Sequence, residues 1–283
     1  MRLLDSDIKT REILDWKGIH LLNYQFSACS MKTRIYMNLK KIEFKSHQIN
    51  LSMGENFSDW FQGINPRSLV PVLIHEGEVH IESNDILQYL ESIYKENPLI
   101  PENQENEVSE LLEFEDKLHI DIRNITFKFM VPKILNKGKS AKPRANEKAT
   151  LHGKNDEMDD TNRTFWLNYE KYGIKDVDAK ESLIRMKNAL NDIDKILLKN
   201  EYIFGSSLSV IDIAWFIYVT RIQHASYPLK KLHPNIHSWY QNLYQDKRFS
   251  SEVQTPYIMK FVIKMFSLYL NFRGKDIESF LSK

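Results

Sequence analysis

The chain carries 283 residues, 42% of them hydrophobic, enough for one large buried core or two ordinary ones. Lys plus Arg number 39 against 38 Asp plus Glu, and a formal net charge of +1 supplies no global field toward nucleic acid or an anionic lipid surface. A single cysteine, Cys29, excludes an intrachain disulfide, argues against a cysteine-built zinc site and fits a reducing compartment.

Residues 1–18, MRLLDSDIKTREILDWKG, have charges scattered through them and lack the apolar core of a secretory leader. They read as an N-terminal extension of a cytoplasmic protein. IHLLNY (19–24) is a short apolar run suited to a buried strand, and the polar QFSACS after it is a turn. From Met31 the spacing changes, with Ile35, Leu39 and Ile42 following at the helical period. FKSHQINL predicts a second strand, and SDWFQGI a short helix before Asn65-Pro66. VPVLIH and EVHIE flank Glu76-Gly77, a two-residue hairpin turn. Pro71 inside the first of these strands marks an edge, a bulge or a special turn, because proline donates nothing to a ladder. Ser83 to Tyr94 is again helical, with Ile86, Leu87, Leu90 and Ile93 on one face.

The order β-α-β-α-β-β-α predicts a small α/β domain with a mixed sheet over 19–97. The stretch KENPLIPENQ has two prolines and no periodicity, which predicts a linker at 98–105. Beyond it the patterns are helical: over 106–131, and over 179–199, where Leu183, Met186, Leu190, Ile193 and Leu197 alternate steps of three and four. Residues 106–283 therefore read as an all-α domain. The segment 136–162 is almost devoid of large apolar side chains and reads as a mobile polar loop inserted in that domain. YIMKFVIKMFSLYLNF (257–272) is interrupted by Lys260 and Lys264, which predicts a packed or capping helix and no stable membrane insertion.

The stretch NPRSLVPVLIHEGEVHIESNDILQYLE (65–91) resembles the glutathione-binding segment of the cytosolic glutathione S-transferases. In that family Asn-Pro, Val-Pro-x-Leu, a glycine hairpin, Glu-Ser and a helix ending Tyr-Leu follow one another. SACSMKTRIYMNLKKIEF resembles the family's first turn and helix, and LSVIDIAWF and LHPNIHSWYQNL resemble its later elements. The resemblance is carried by 19–100 and more thinly by 179–250, and is absent from 1–18, 136–162 and the tail. SDWFQGINPR is similar to the bacterial branch that includes the lignin β-etherases, and SACS to the zeta and beta classes. The resemblance implies a thioredoxin-like first domain with a mixed four-stranded sheet and an all-α helical-bundle second domain. It also implies glutathione as co-substrate, no metal, and a two-fold homodimer.

By the same resemblance the Val70-Pro71 bond is cis, and the Val70 N–H and C=O face the peptide backbone of glutathione. The Ser83 hydroxyl and amide would hold the γ-glutamyl carboxylate, with Glu82 nearer the amino group. The residues alone also allow Ser83 to be a plain helix cap. Glutathione must react as thiolate, so the turn before the first helix needs a donor toward the thiol. Likeness to the zeta class points to Ser27, likeness to the etherases to Ser30, and likeness to the beta class to Cys29, a former of mixed disulfides. No tyrosine occupies the position used by mammalian-type classes, although Tyr24 ends the preceding strand. A buried small cysteine between two cap serines is the plain structural alternative. Phe127, Phe129 and Met130 are the candidates to line an apolar electrophile pocket between the domains.

The expected function is a glutathione S-transferase that activates the thiol for attack on a small hydrophobic electrophile, with aryl ether cleavage and dehalogenation as candidate reactions. Two alternatives stand beside it: a non-catalytic interaction or sensing protein on the same fold, and a Cys29-based glutathione-dependent thiol oxidoreductase. Arg67 and Gln62 lie near the binding segment, either reaching a carboxylate or solvated. Ser209 with Asp212 forms a capping box ahead of an apolar run. His233 and His237 are four apart, but Pro234 stands between them and no carboxylate completes a metal site.

Overall fold

The computed structural model describes residues 1–136 and 149–282. The chain divides into two units, Met1–Lys95 with Asn136–Tyr172, and Glu96–Leu135 with Gly173–Lys283. In the first, β1 (Ile19–Asn23) is buried along its whole length, as a central strand covered on both faces must be. It pairs in parallel with β2 (Lys45–Gln48) and antiparallel with β3 (Val72–His75), while β3 pairs antiparallel with β4 (Glu78–Ile81). The order β2-β1-β3-β4 is the mixed four-stranded sheet that the sequence predicts, with the solvated β2 at one edge.

The crossover from β1 to β2 is α1 (Ala28–Leu39), followed by α2 (Asp59–Gln62) and, after the hairpin, α3 (Ser83–Ile93). Ile86, Leu87 and Leu90 of α3 are buried, whereas Ile93, at the fraying end of the helix, is 42% exposed. A buried contact joins α1 to α3: the Tyr36 hydroxyl donates to the Glu91 carboxylate, which also lies 3.3 Å from the Lys40 ammonium. Burial, with the Glu91 carboxylate beside it, pushes the Tyr36 phenol well above its ordinary pKa.

Residues 1–18 are built into this unit. The Leu3 N–H donates to the Val79 carbonyl at 2.9 Å, laying an extended segment beside β4. Leu3, Ile8 and Ile13 join Leu22, Val72, Ile74, Val79 and Ile81 in one apolar layer. Each such side chain contributes about 1.5–3 kcal/mol when fully buried. The hairpin turn touches the same segment: Gly77 has φ +83, and a Cβ there would lie 2.1 Å from the Leu14 carbonyl oxygen. Gly77→Ala is therefore expected to cost about 2–4 kcal/mol, combining left-handed strain with a backbone collision. Urea denaturation of the two proteins checks this, and a loss under about 0.5 kcal/mol would show that the segment yields freely.

His80 on β4 stacks on Tyr89 of α3 with ring centroids 3.7 Å apart, and its buried Nε2 has no hydrogen-bond partner among the described residues, the Glu78 carboxylate lying 3.7 Å away. Burial foremost, then the positive charges of the Met1 amine, Arg2 and His75, lower its pKa to about 4. The folded state thus binds fewer protons than the unfolded state between about pH 4 and 6.5, so the contribution of neutral His80 is complete above pH 6.5 and is lost as pH falls toward 4. The expected loss is on the order of 2 kcal/mol. Stability curves at pH 7 and pH 4.5 for the parent and His80→Phe test it: the variant should lose less on acidification.

The sequence reads 136–162 as a loop inserted in the helical domain, and the structure differs. Residues 137–148 lie outside the described part. From Ala149 onward the chain forms a hairpin, β5 (Thr150–Leu151) with β6 (Lys154–Asn155), and a helix, α6 (Glu157–Tyr172). These elements belong to the first unit, where Leu151 enters the apolar layer and the His152 N–H donates to the Asp7 carboxylate at 2.8 Å. Leu151, the His152 N–H and the buried Asp156 on Arg67 tie residues 149–156 to this unit despite their polar average composition.

The second unit is helical: α4 (Glu105–Lys117), α5 (His119–Ile125), a π-helical turn at Thr126–Met130, α7 (Asp176–Leu197), α8 (Val210–His224), α9 (Leu229–Leu232), α10 (Pro234–Gln245), α11 (Lys247–Ser250), α12 (Tyr257–Phe272) and α13 (Ile277–Leu281). Leu183, Met186, Leu190, Ile193 and Leu197 of α7 are all buried, as their spacing predicts. Every residue of α8 from Val210 to Thr220 is buried, so this helix, apolar all round, is the axis of the unit. The sequence-predicted capping box starts it, with Asp212 accepting from the Ser209 N–H at 3.0 Å. In α12 only Leu270 is buried, and Tyr257, Ile258 and Phe272 stand on the surface, so it packs more lightly than its apolar sequence predicts. Among the described residues no helix is long and apolar enough to cross a membrane.

Candidate functional site

The sheet register decides which residues meet. Leu22 stands opposite Val72, and Val72 opposite Ile81. One step further along each strand lie Asn23, Pro71 and Glu82, so the turn into α1, the Val70-Pro71 bond and the start of α3 share one end of the sheet. The Val70-Pro71 peptide is cis. Val70 precedes β3, and its N–H and C=O take no partner among the described residues. An extended peptide lying there would find one donor and one acceptor of a strand edge.

At the start of α3 the structure revises the plain capping role of Ser83. Glu82 holds the cap position, with φ +67 and no side-chain hydrogen bond to the first turn, and Ser83 is the first helical residue. Neither the hydroxyl nor the N–H of Ser83 has a partner among the described residues, so both remain open at the positive end of the helix. Glu82 carries backbone strain in a conformation that side chains disfavour. Its carboxylate receives Arg67 Nη1 at 2.6 Å. Arg67 Nε donates to Asp156, so one guanidinium sits between two carboxylates. Burial alone would lower the Arg67 pKa, but Asp156 and Glu82 more than offset it, and the net direction is upward. The sequence leaves Arg67 either reaching a carboxylate or solvated; the carboxylates it meets are the protein's own. Gln62 is buried, with Nε2 on the Ser68 hydroxyl at 3.0 Å.

In the turn before α1 the three candidates separate. Ser27 caps the helix, its Oγ accepting the Ser30 N–H at 3.3 Å, and is half-buried. A hydroxyl that accepts from the helix keeps its own hydrogen to donate outward. Cys29 is half-buried in the first helical turn. Ser30 is fully buried, and its Oγ accepts the Tyr24 N–H at 3.3 Å. Arg34 braces the turn from within α1, reaching Asn23 Oδ1 at 2.9 Å and the Gln25 carbonyl at 3.2 Å. The Tyr24 hydroxyl is engaged with Ser52 at 2.9 Å.

The remaining candidates lie in the helical unit. Phe129 and Met130 are buried, Phe129 packing edge-on against Phe280 at 5.2 Å, so these two belong to the core of that unit. Phe127 alone of the three is half-exposed. His233 is buried with Nε2 2.8 Å from the Tyr227 hydroxyl, a structural contact. Among the described residues no three His, Cys, Asp or Glu side chains gather to hold a metal.

Residues 26–93 match the model of the glutathione S-transferase N-terminal domain, and residues 176–242 that of the glutathione S-transferase C-terminal domain. These two segments carry the N- and C-terminal domains of the glutathione S-transferase family. A zeta-class glutathione S-transferase of Euphorbia esula is 40% identical over 83 residues, 29% of this chain and 37% of that protein. The chain thus spans little more than a third of the length of the first curated relatives it matches. Two solved structures share the fold. The β-etherase LigF from Sphingobium sp. strain SYK-6 has a TM-score of 0.68 at 21% identity, covering 83% of this chain and 98% of that one. A glutathione transferase family member from Pseudomonas fluorescens, solved with two glutathione molecules bound, has a TM-score of 0.63 at 14% identity, covering 88% and 99%.

Against this background, two residues that sequence reasoning missed stand out. Arg34 carried no signal, because a buried arginine inside a helix reads as one more surface charge. Asp156 carried one: Asp-x-x-Asp before an apolar helical pattern is a cap signature, hidden in a stretch whose composition reads as loop.

Proposed function

We propose that this protein is a glutathione transferase that binds glutathione at the α1–β3–α3 end of the first sheet and activates its thiol for attack on a small hydrophobic electrophile. The observation that supports the reading is the convergence of unpaired polar groups there: the Val70 backbone and the Ser83 hydroxyl and amide, together with the outward donor of Ser27. Val70 pairs with the cysteinyl backbone, Ser83 and the α3 amides take the γ-glutamyl carboxylate, and Glu82 faces the ammonium. Ser27 donates to the sulfur and, with the positive end of α1, favours thiolate over thiol. The thiolate then forms the carbon–sulfur bond, and the leaving group departs with the bonding electron pair.

Ser27 is the preferred donor over Ser30, because Ser30 is fully buried whereas Ser27 is only half-buried. Likeness to LigF, 38% identical over 79 residues, supports aryl ether cleavage, with dehalogenation as the second candidate reaction. We further assign the protein to the cytoplasm, as a homodimer, with no nucleic-acid partner. The test is calorimetric titration with glutathione, joined to an absorbance titration of the bound thiol. Binding with a thiol pKa below about 8.5 is expected. Binding without depression favours a sensing or interaction role, and no binding removes the reading. The place of Cys29 in the first turn of α1 keeps the oxidoreductase reading as a second one. In that case Cys29→Ala abolishes thiol–disulfide exchange while Ser27→Ala preserves it.

A further inference from the structure

We propose that Asp156, at the N-terminus of α6, is a positioning residue for glutathione that acts through Arg67 on Glu82 and makes the site selective for a free γ-glutamyl ammonium. This rests on the glutathione site assigned above. The side chains of Asp156 and Arg67 are 3% and 13% exposed, so their pairing is screened little by solvent. The two oxygens of Asp156 have separate tasks. Oδ1 accepts the Met158 N–H at 2.8 Å and caps α6, and Oδ2 receives Arg67 Nε. Arg67 is held from its other side too, its N–H on Asn65 Oδ1 at 3.1 Å, and its Nη1 meets Glu82 at 2.6 Å.

The hairpin before α6 is itself anchored by Leu151 in the apolar layer and by Asp7 on the His152 N–H. Asp156 therefore cannot drift away from Arg67 without disturbing that packing. Electrostatics supplies the consequence. One guanidinium between two carboxylates leaves the cluster with a net charge of −1, on the end of the sheet where Glu82 and Ser83 receive the γ-glutamyl group. A cation is favoured beside such a cluster and would be opposed by Arg67 if Asp156 did not share its charge.

The test uses Asp156→Asn, which retains a good capping side chain and close shape but removes the charge, with Asp156→Ser as a second uncharged cap. Calorimetry measures glutathione and N-acetylglutathione, the same peptide without its ammonium, against the parent and both variants. Glutathione affinity should fall about five- to tenfold in the variants, while N-acetylglutathione changes less than about twofold. Equal affinity of parent and variants for glutathione would overturn the inference, and so would a parallel fall for both ligands, which marks general damage to the fold. A parent that binds neither peptide would overturn the site assignment itself.

Discussion

Replacing Ser27 with alanine is expected to raise the thiol pKa of bound glutathione toward about 8.5 and to lower kcat/KM about 10²-fold, the usual cost of removing one donor aimed at a developing or resident anion. The geometry behind this is specific. Ser27 Oγ accepts the Ser30 N–H, which leaves its own hydrogen free to donate, and Ser27 lies in the turn that follows β1 at the end of the sheet where Pro71 and Glu82 also lie. The same substitution removes a helix cap worth about 1 kcal/mol, and that cost must be separated from the chemistry. Ser27→Thr retains both the cap and the hydroxyl and should keep the thiol depressed. Ser30→Ala is the opposite control: Ser30 is buried on the Tyr24 N–H, so its loss should lower stability by about 1–2 kcal/mol and leave the thiol pKa in place. A Ser27→Ala protein with an unchanged thiol pKa would refute the assignment and leave the α1 amides as the source of activation.

The sheet, its helices and the helical unit were legible because their signals are periodic and redundant. β1 carries the adjacent apolar pair Leu21 and Leu22 and is buried at every position, as a central strand is, and the Gly77 hairpin sets the register that brings Pro71 and Glu82 together. The 149–162 region was not legible, because a segment average dilutes Leu151 and Asp156 among polar neighbours, whereas packing depends on where Leu151 lands. LHGK at the β5–β6 turn carries glycine at the second turn position, the same device as HEGE in the main hairpin. At the site, sequence narrowed the thiol-activating group to three neighbours and went no further. Ser27 and Ser30 are chemically identical and each accepts one backbone N–H, so burial alone tells them apart. Phe129 and Met130 illustrate the converse: apolar side chains near a suspected pocket are as easily core as lining, and these two are core.

The largest loss of stability is expected from Asp212→Ala, at about 3–5 kcal/mol. Asp212 is fully buried, and its carboxylate gathers four donors: the Ile203 N–H at 2.9 Å, the Ser209 N–H at 3.0 Å, the Ser209 hydroxyl at 2.9 Å and the Trp239 indole N–H at 3.0 Å. Those donors tie the approach to α8, its first turn and α10 to one point. Burial raises the Asp212 pKa, so part of the hydrogen-bond gain is spent on desolvating the charge, and the four donors only partly offset that upward push. Alanine removes the desolvated carboxylate but strands all four donors in the interior, where each unpaired group costs about 1–3 kcal/mol before relaxation. The amide introduced by Asp212→Asn keeps one acceptor oxygen while turning an NH2 toward donors, so this variant should fall between the parent and Asp212→Ala. Urea denaturation followed by tryptophan fluorescence reads the effect directly, since Trp239 is one of the partners. A loss below about 1 kcal/mol in Asp212→Ala would mean that water reaches the stranded donors and that the packing around α8 gives way more easily than its burial indicates.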